Sequence, residues 1–431
     1  MKRLLILASK LGYQTGSFAE AARRLGAEAV FGTDRCGRLD DPWADGAVPL
    51  HFEDPEQAGR LLASTLRGQR FDSILALGDR PTSTAAHAAR ALGLTYNSTQ
   101  SVENCRTKLR QREVLRDAGL PVPDFFAFSL SEDISRVLPR VKFPCVVKPL
   151  SLAASQGVIR ANNASEFMVA ARRVQTLLES PELRATREPS LDRLLVERYI
   201  PGDEVAIEAL LTNGELRVLA IFDKPGHPEG PYFEESIYVT PSQQPALAQA
   251  SLAATLRASA RALGLTHGPV HAEFRLNEDG PWVLEISPRP IGGLCSRALR
   301  FGPEKIFLEE LLVRHALEMN GSDLPREKES SGVMMIPVPR SGILEGVEGE
   351  APAAATPGVS ELHITARLHD FIAAWPEGSS YLGFIFARGE EPAEVVAALQ
   401  QAHAKLHFTL AERLPVEHPL AGKIPARARE D

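Results

Sequence analysis

The chain has 431 residues, enough for two or three hydrophobic cores, because one core rarely grows beyond about 250–300 residues. Its 44% hydrophobic and 24% charged residues are typical of a soluble globular protein, and its net charge of −7 argues against nucleic acid as the main partner. No apolar run approaches the roughly 18 residues of a membrane span. The four scattered cysteines fit neither a disulfide framework nor a zinc site: Cys36, Cys105, Cys145 and Cys295. We therefore expect a cytoplasmic protein that binds neither a membrane nor nucleic acid.

Residues 1–100 alternate apolar strand patterns with helical patterns. The predicted strands are 3–8, 29–31 and 73–77, and the predicted helices are 18–25, 55–66 and 82–92. This βαβ alternation predicts an N-terminal α/β domain with a doubly wound parallel sheet. The turn after the first strand lacks the Gly-x-Gly-x-x-Gly pattern of nicotinamide sites. Gly78, Asp79 and Arg80 follow the third strand, where a ligand would meet the sheet.

The next segment carries a lysine followed by a loop of small residues. Lys148 lies near the end of an apolar strand, and residues 151–157 after it can turn backbone N–H groups onto a phosphate. Because the lysine precedes the loop, the segment differs from the Gly-x-x-x-x-Gly-Lys-Ser/Thr loop of another nucleotide-binding class. Another strand carries Glu197, and Glu204 follows seven residues later. Taken singly, Lys148 and Glu197 would be ordinary solvated residues at strand ends.

A β-hairpin is predicted at residues 271–287, where apolar and polar residues alternate on both sides of a glycine-containing turn. A three-residue loop of 278–280 would give Gly280 the left-handed conformation that such loops favour. This register predicts four facing pairs: Leu276–Trp282, Phe274–Leu284, Glu273–Glu285 and Ala272–Ile286. Like charges directly opposite each other destabilise a sheet, so we expect a positive group between Glu273 and Glu285. Mg²⁺ is the predicted group, because it prefers paired carboxylates together with water or phosphate oxygens. The alternative is two solvated glutamates on an open face.

The second strand of this hairpin continues into another polar pattern. Glu285, Ser287 and Arg289 lie at i, i+2 and i+4 and therefore on one face of an extended strand. Arg289 would suit a phosphate oxygen because its fork of donors matches that geometry. Gly292 and Gly293 then form a loop whose backbone can approach a ligand closely. The hairpin is thus predicted to be a platform for metal and phosphate.

The remaining chain is predicted to form a C-terminal α+β domain. Strands at 333–339 and 381–387 precede a helix at 392–406. The basic, proline-bearing tail from residue 415 is predicted to be a loosely held terminus.

The order of these motifs resembles that of the ATP-grasp superfamily over nearly the whole chain. The resemblance implies an ATP-grasp fold with a pre-ATP-grasp domain at 1–100, an ATP-grasp domain with central and nucleotide-binding lobes at 101–325, and a C-terminal domain at 326–431. The chain departs from the family twice. The usual Glu-x-Asn-x-Arg has serine at its centre, so the role of Ser287 at a second metal stays open. The loop at 151–157 has one glycine where relatives often have several, which predicts stiffer closure.

The resemblance also implies ligands and the residues that bind them. ATP is expected to bind with two Mg²⁺ ions, for which Mn²⁺ can substitute. The implied ATP-binding residues are Lys108, Lys148, Ser151, Ser155, Gln156, Gly157, Glu197, Arg198, Tyr199, Ile200 and Glu204. The implied metal-binding residues are Glu273, Glu285 and Ser287, and the implied catalytic residues are Arg289 and Lys148.

ATP-grasp enzymes use ATP to convert a carboxylate into an acyl phosphate, which a nucleophile, most often an amine, then attacks. The motif order is most similar to the branch of L-amino-acid (dipeptide-forming) ligases and biotin-carboxylase-like enzymes. This similarity implies that the partners are a small-molecule carboxylate and a small-molecule amine, both of them amino acids. The substrate-binding residues expected are Lys224, Glu234, Glu235, His271, Arg289, Gly292 and Gly293. A structural role for His271 and a solvated role for the Glu234–Glu235 pair stay open, as does assembly into a homodimer.

Two other functions stay open. A bicarbonate-activating or purine-pathway ligase of the biotin carboxylase type would share these motifs, although the sequence shows no biotin-carrier segment with Met-Lys-Met. A non-catalytic nucleotide-binding module is the third hypothesis. The presence of both paired glutamates, Lys148 and Arg289 argues against it, because a mere binder does not require paired metal carboxylates.

Overall fold

The computed structural model describes residues 1–9, 14–34, 47–226, 230–233 and 236–412. It begins with a parallel sheet in the order β3-β2-β1-β4, and its strands are β1 (Arg3–Ala8), β2 (Glu28–Thr33), β3 (Val48–Pro49) and β4 (Ser73–Leu77). The helices around it are α1 (Thr15–Arg24), α2 (Pro55–Thr65) and α3 (Asp79–Leu92). Leu4 and Ile6 of β1 share a buried cluster with α1, whereas Leu5 and Leu7 share another with α2 and α3. Both faces are therefore covered, and the predicted doubly wound sheet is confirmed.

Two helices, α4 (Thr99–Arg106) and α5 (Lys108–Asp117), lead into a four-stranded antiparallel sheet. Its strands are β5 (Phe125–Ser129), β6 (Cys145–Pro149), β7 (Ile159–Ala161) and β8 (Arg193–Arg198), in the order β5-β8-β6-β7. The helices of this part are α6 (Ile134–Val137), α7 (Ala164–Leu178) and α8 (Pro181–Arg184). Phe167 and Val174 of α7 pack against this sheet, which leaves its other face for the cavity described below.

A larger sheet carries the predicted hairpin. Its first strands are β9 (Asp203–Thr212), β10 (Glu215–Asp223), β11 (Ile237–Thr240), β12 (Gly268–Asn277) and β13 (Gly280–Ser287). Helix α9 (Ala246–Leu263) packs on the apolar face of the hairpin through Leu252, Leu256 and Leu263. The polar face is therefore turned away from this core.

The later strands extend the same sheet. The elements that follow are β14 (Arg300–Phe301), β15 (Ile306–Phe307), α10 (Leu308–Ala316), β16 (Ser330–Ile336), β17 (Gly342–Glu348), α11 (Glu350–Ala354), β18 (Val359–Ile364), β19 (Phe371–Ile372), β20 (Gly383–Gly389), α12 (Pro392–His403) and β21 (His407–Ala411). The large sheet has the order β13-β12-β9-β10-β11-β16-β20-β18, and a small sheet has the order β19-β17-β21. One sheet thus runs across residue 325, and the predicted domain boundaries stay predictions. None of the helices in the described ranges is both long and apolar enough to cross a membrane.

The hairpin keeps the predicted pairs Glu273–Glu285 and Ala272–Ile286, but two other predicted pairs are wrong. Asn277 pairs with Gly280, so the turn has two residues between the paired positions, and Phe274 pairs with Val283 rather than Leu284. A bulge beside Glu273 then absorbs one residue of β13 and restores the predicted register. Gly280 has the expected positive φ, at 108°.

The bulge also changes which side chains reach the core. Val283 packs in the core under α9, whereas Leu284 lines the cavity on the polar side. The predicted partner of Leu276, Trp282, instead pairs with Arg275.

Candidate active site

A cavity of about 630 Å³ is lined by the four-stranded antiparallel sheet, the hairpin of β12 and β13, the ends of β1 and β4, and residues 379–384. It gathers most of the predicted site residues: Lys108, Lys148, Ser151, Ser155, Gln156, Glu197, Arg198, Tyr199, Ile200, Glu204, His271, Glu273, Glu285, Arg289, Gly292 and Gly293. Gly157, Lys224 and Ser287 do not line it. The predicted substrate residues Glu234 and Glu235 lie outside the described residues. Segments far apart in the sequence therefore converge on one cavity.

Lys108 is the first residue of α5 and connects the hairpin with the loop at 151–157. Thr107 caps the helix by accepting a hydrogen bond from the Arg110 N–H, so the start of the helix is fixed. The Lys108 Nζ lies 3.0 Å from the Glu285 Oε2 and donates to the Leu152 carbonyl at 2.9 Å. One ammonium thus holds a predicted metal ligand beside the predicted phosphate loop.

Lys148, Glu197 and Arg112 form a buried ionic triad. The Lys148 Nζ lies 2.5 Å from the Glu197 Oε2, and the Arg112 Nε lies 2.7 Å from the Glu197 Oε1. Burial lowers the pKa of Lys148 to about 8 against the opposing effect of Glu197. Burial would raise the pKa of Glu197, but Arg112 and Lys148 outweigh it and lower that pKa.

Arg112 was not predicted as a site residue. It lies four residues after Lys108, on the same face of α5, and its side chain has no exposed surface. This spacing is the sequence signal that could have identified it. The predicted role of Glu197 in binding ATP stays a prediction.

Glu204, Lys224 and Arg275 continue the network towards the hairpin. The Glu204 Oε1 lies 2.8 Å from the Lys224 Nζ, and its Oε2 lies 2.8 Å from Arg275 Nη2. Lys224 also lies 3.1 Å from the Glu273 Oε1 and therefore joins Glu204, a predicted ATP-binding residue, to a predicted metal-binding carboxylate. Arg275 was missed, although it lies two residues after Glu273 and so on the same face of β12.

His271 lies between two carboxylates. Its Nδ1 is 2.5 Å from the Glu208 Oε1, and its Nε2 is 3.4 Å from the Glu273 Oε1. Burial would lower the pKa of His271, but Glu208 outweighs this effect and the pKa rises to about 9. Glu208 also accepts a hydrogen bond from the Ile291 N–H at 3.1 Å. Sequence reasoning missed Glu208, although it lies four residues after Glu204 on the same face of β9.

Glu273 and Glu285 face each other across β12 and β13, as predicted. Their charges are balanced by different cations, because Lys224 contacts Glu273 and Lys108 contacts Glu285. Burial would raise the pKa of Glu273, but Lys224 and His271 hold it well below its usual value. Each glutamate therefore has a lysine beside it, and the predicted positive group between the two glutamates stays a prediction.

The two carboxylates also fit magnesium. Among the residues that the structure describes, no group of three or more His, Cys, Asp or Glu side chains is placed to hold a metal ion. Mg²⁺ commonly takes one or two carboxylates and completes its shell with phosphate oxygens and water. Two paired carboxylates next to lysines suit an ion that arrives with a nucleotide.

Arg289 is held by Asp79 at the end of β4. Its Nε and Nη2 donate to the two carboxylate oxygens of Asp79 at 2.9 and 3.0 Å. Burial would raise the pKa of Asp79, but the Arg289 guanidinium and the Ser287 hydroxyl lower it to about 2. Arg289 thus stays cationic, and Ser287 is engaged with Asp79.

The loop at 151–157 is fixed by a distant segment. Trp375 Nε1 donates to the Ala154 carbonyl at 2.9 Å, Gln156 Nε2 donates to the Glu377 carbonyl at 2.7 Å, and the Gly157 N–H donates to the Pro376 carbonyl at 2.8 Å. Gly157 has a φ of 72°, and a Cβ there would lie 2.8 Å from Pro149 Cγ. Glycine is therefore required by packing and by backbone conformation.

Aromatic and basic side chains surround the segment after β8. The Arg160 guanidinium lies 4.1 Å from the centre of the Tyr199 ring, and the Phe233 ring stacks on Tyr199 at 6.3 Å. The Tyr199 N–H donates to the Pro144 carbonyl at 2.9 Å. The backbone N–H of Tyr199, a predicted ATP-binding residue, is therefore already engaged within the protein.

Gly292 and Gly293 form the cavity wall after Arg289. A Cβ on Gly292 would meet nothing within 4 Å, so this glycine leaves open space. Gly293 has a φ of 60°, and a Cβ there would lie 3.0 Å from the Phe384 ring. The second glycine thus lets β20 approach the site closely.

Comparisons with known proteins identify the family of the chain. Family models match an ATP-grasp N-terminal domain at residues 19–95, an ATP-grasp domain at 141–298 and an L-amino acid ligase C-terminal domain at 334–411. A D-alanine--D-alanine ligase of Aromatoleum aromaticum is 31% identical over 56% of this chain and 76% of its own length. An alanine--anticapsin ligase of Bacillus subtilis is 24% identical over 74% of each chain.

The crystal structure of an L-amino acid ligase from Bacillus licheniformis superposes with a TM-score of 0.79 and 28% identity, covering 96% of this chain and 99% of that one. Other relatives are longer, since the chain spans 53% of an ATP-grasp enzyme of Aspergillus fumigatus and 34% of carnosine synthase 1 of Gallus gallus. The chain belongs to the ATP-grasp family, as a ligase that forms carbon–nitrogen bonds with release of ADP.

Proposed function

We propose that the protein joins the carboxylate of one amino acid to the amine of another through an acyl phosphate. The observation that carries this proposal is the convergence of Glu273, Glu285, Lys108, Lys148 and Arg289 on one cavity. Phosphoryl transfer requires positioning and neutralisation of charge more than covalent help from the protein. These side chains supply both.

The first step transfers the γ-phosphoryl group of ATP. A carboxylate oxygen of the acid attacks the γ-phosphorus, the bond to the β-phosphate oxygen breaks, and ADP leaves. Lys108 and Lys148 bind the phosphates, and the backbone of the loop at 151–157 covers them. Mg²⁺ bound at Glu273 and Glu285 would neutralise phosphate charge. The proposal includes a second metal ion with Ser287 among its ligands. It also includes Mn²⁺ as a substitute for Mg²⁺.

The second step forms the amide bond. The amine nitrogen attacks the acyl carbon, loses a proton to water, and phosphate leaves with the acyl oxygen. Arg289 stabilises the charge that develops on these oxygens, because its guanidinium is fixed by Asp79 before the substrates bind. We assign the adenine and ribose to Glu197, Arg198, Tyr199, Ile200 and Glu204, which lie along one side of the cavity.

The ion pairs of the two paired glutamates support this assignment. Lys108 contacts Glu285, and Lys224 contacts Glu273, so each proposed metal ligand carries a lysine that a bound cation would release. Paired charges that are buried need partners at all times, because an isolated buried charge is costly. The released Lys108 then contacts phosphate instead of Glu285, so the lysine exchanges one anionic partner for another.

Amino acids are proposed as substrates because the names of several relatives describe ligases that act on amino acids. Phosphate release with MgATP would be measured with pairs of the 20 amino acids and, separately, with bicarbonate, and products would be identified by mass spectrometry. We expect ADP, phosphate and a dipeptide. Production of AMP and pyrophosphate, or turnover with bicarbonate but with no amino-acid pair, would contradict the proposal.

A further inference from the structure

The end of the parallel sheet contributes a part of the cavity to which no role has been given. The chain leaves β1 towards β2 and β3 on one side, and returns to β4 on the other side of β1. Ligands of open α/β sheets bind in the crevice that opens at such a switch point, beyond the carboxyl ends of the strands. Ser9 after β1 and Gly78 and Arg80 after β4 line the cavity there.

Arg80 is paired more weakly than several other cations of the cavity. Four of those, Lys108, Lys148, Arg275 and Arg289, each lie within 3.0 Å of a carboxylate oxygen. Among the described residues, Arg80 reaches a carboxylate only through Nη1, which lies 3.5 Å from the Asp34 Oδ2. Its Nε is buried and has no hydrogen-bond partner in the described part of the chain. A buried donor without a partner is costly, so the described residues leave this guanidinium incompletely satisfied.

Arg80 is also close in the chain to the proposed reaction centre. The preceding residue, Asp79, binds Arg289 through both carboxylate oxygens. The side chain of Gln14, after β1, donates to the Ile291 carbonyl in the loop that follows Arg289. The sheet end and the Arg289 loop are therefore joined on both sides of the crevice.

An amide-forming ligase that joins two amino acids meets one carboxylate that must not react. The acid substrate brings its carboxylate to the phosphate, whereas the amine substrate keeps its own carboxylate in the product. A guanidinium binds a carboxylate through parallel hydrogen bonds, and Arg80 lines the cavity with a side chain that is 32% exposed. Asp34, which accepts a hydrogen bond from Ser9 at 2.8 Å, engages Nη1 of the guanidinium.

We propose that Arg80 at the switch point between β1 and β4 binds the unreactive carboxylate of the amine substrate, which is therefore a free amino acid rather than a simple amine or an amino-acid amide. This inference rests on the proposed function and assigns one subsite within it. Arg80 acts on the position of the amine and takes no part in phosphoryl transfer.

The test compares L-amino acids with their C-terminal amides, such as L-alanine with L-alaninamide, as amine substrates for the wild type, Arg80→Met and Arg80→Lys. Loss of a charged hydrogen bond is expected to lower kcat/KM of Arg80→Met for free amino acids by roughly tenfold to a hundredfold. Its kcat/KM for the amides and its KM for ATP should stay within about twofold. Arg80→Lys should recover part of the lost activity because it keeps the charge.

Arg90→Met is the matched control, because Arg90 is exposed at the other end of α3. Equal losses with amino acids and amides, or no loss with either, would overturn the assignment of Arg80. If Arg80→Met fails to fold, the same comparison of acid and amide in Arg80→Lys decides the question. If the wild type forms no amide bond with any amino acid, the proposed function itself is refuted. If the wild type is a ligase but Arg80→Met treats acid and amide alike, only the assignment of Arg80 is refuted.

Discussion

Arg289 contributes a rigid pair of donors rather than charge alone. Asp79 binds its Nε and Nη2, and the Pro290 carbonyl accepts from Nη1 at 3.0 Å, so the guanidinium plane is fixed. Lysine at this position would keep the charge but lose the fork. We expect Arg289→Lys to lower kcat by about two orders of magnitude or more, as the loss of one preorganised donor does elsewhere, with a much smaller change in ATP affinity.

Asp79→Asn is the companion variant for this prediction. It keeps Arg289 but weakens its anchor, so kcat should fall less than in Arg289→Lys. Both variants would be compared in steady-state kinetics and in ATP titration calorimetry. An Arg289→Lys protein impaired only in ATP binding would refute the proposed role.

Burial lowers the pKa of Lys148 well below the usual value for a lysine. Glu197 opposes the effect of burial, while Arg112 and Lys108 add to it, and the pKa of Lys148 is about 8. Because this pKa is lowered, the ammonium is present below pH 8 and is lost as the pH rises through it. We expect ATP affinity to fall by about tenfold between pH 7 and 9.5, since the neutral amine attracts phosphate weakly.

Titration calorimetry of the wild type and of Lys148→Met over this pH range tests the assignment. The variant should bind ATP more weakly at pH 7 and should show little further loss up to pH 9.5. A wild type and a variant with the same slope of affinity against pH would place the titrating group elsewhere.

The loop at 151–157 depends on the segment at 375–377 for its conformation. Ala154 and Ser155 both have a φ of 53°, a left-handed conformation that is costly for residues other than glycine. The three hydrogen bonds from 375–377 hold the loop in this shape, and Trp375 supplies one of them. Trp375→Phe keeps an aromatic ring but leaves the Ala154 carbonyl without its donor. We expect ATP affinity to fall by about threefold to tenfold, and hydrogen exchange of the loop amides to accelerate.

Trp282→Phe removes the same kind of donor at a distant place, because the Trp282 Nε1 donates to Asn277 Oδ1 at the tip of the hairpin. It should leave ATP affinity unchanged. Equal effects of the two substitutions would mean that the contact with the loop does not matter for the nucleotide.

The hairpin shows what the sequence could predict about an element. Alternation of apolar and polar residues placed Glu273 opposite Glu285 correctly, although the predicted turn was one residue too long and no bulge was expected. The two errors cancel at the glutamates because a bulge takes up the residue that the shorter turn releases. Only the pairs between the turn and the bulge were therefore wrong.

Sequence patterns could identify the partners of predicted site residues where the two residues lie close together in the sequence. Arg112 and Glu208 each follow a predicted residue by four positions on one face of an element, so helix and strand periodicity contain the signal. The pair of Asp79 and Arg289 spans 210 residues, and the hydrogen bond of Trp375 to Ala154 spans 221. No local pattern encodes such contacts, because they arise only when separate sheets pack around the cavity.

The cavity joins the parallel sheet, the four-stranded sheet and the large sheet, so a ligand that fills it should stabilise the whole molecule. A ligand at a hundred times its Kd stabilises the folded state by about 2.7 kcal/mol, provided that the unfolded chain does not bind it. We expect ADP with Mg²⁺ to raise the Tm, and ADP with excess EDTA to raise it less, because the proposed metal ligands Glu273 and Glu285 then lack their cation.

Glu285→Gln makes this prediction specific to the paired carboxylates. The variant removes one metal ligand and leaves Lys108 with the Leu152 carbonyl as its remaining partner, so it should still fold. Differential scanning calorimetry should show that the additional shift caused by Mg²⁺ is lost in Glu285→Gln, while the shift caused by ADP in EDTA is kept. Glu278→Gln, at the exposed turn of the same hairpin, should behave like the wild type. If Glu285→Gln keeps the full magnesium-dependent shift and wild-type turnover, the metal does not bind at the paired glutamates.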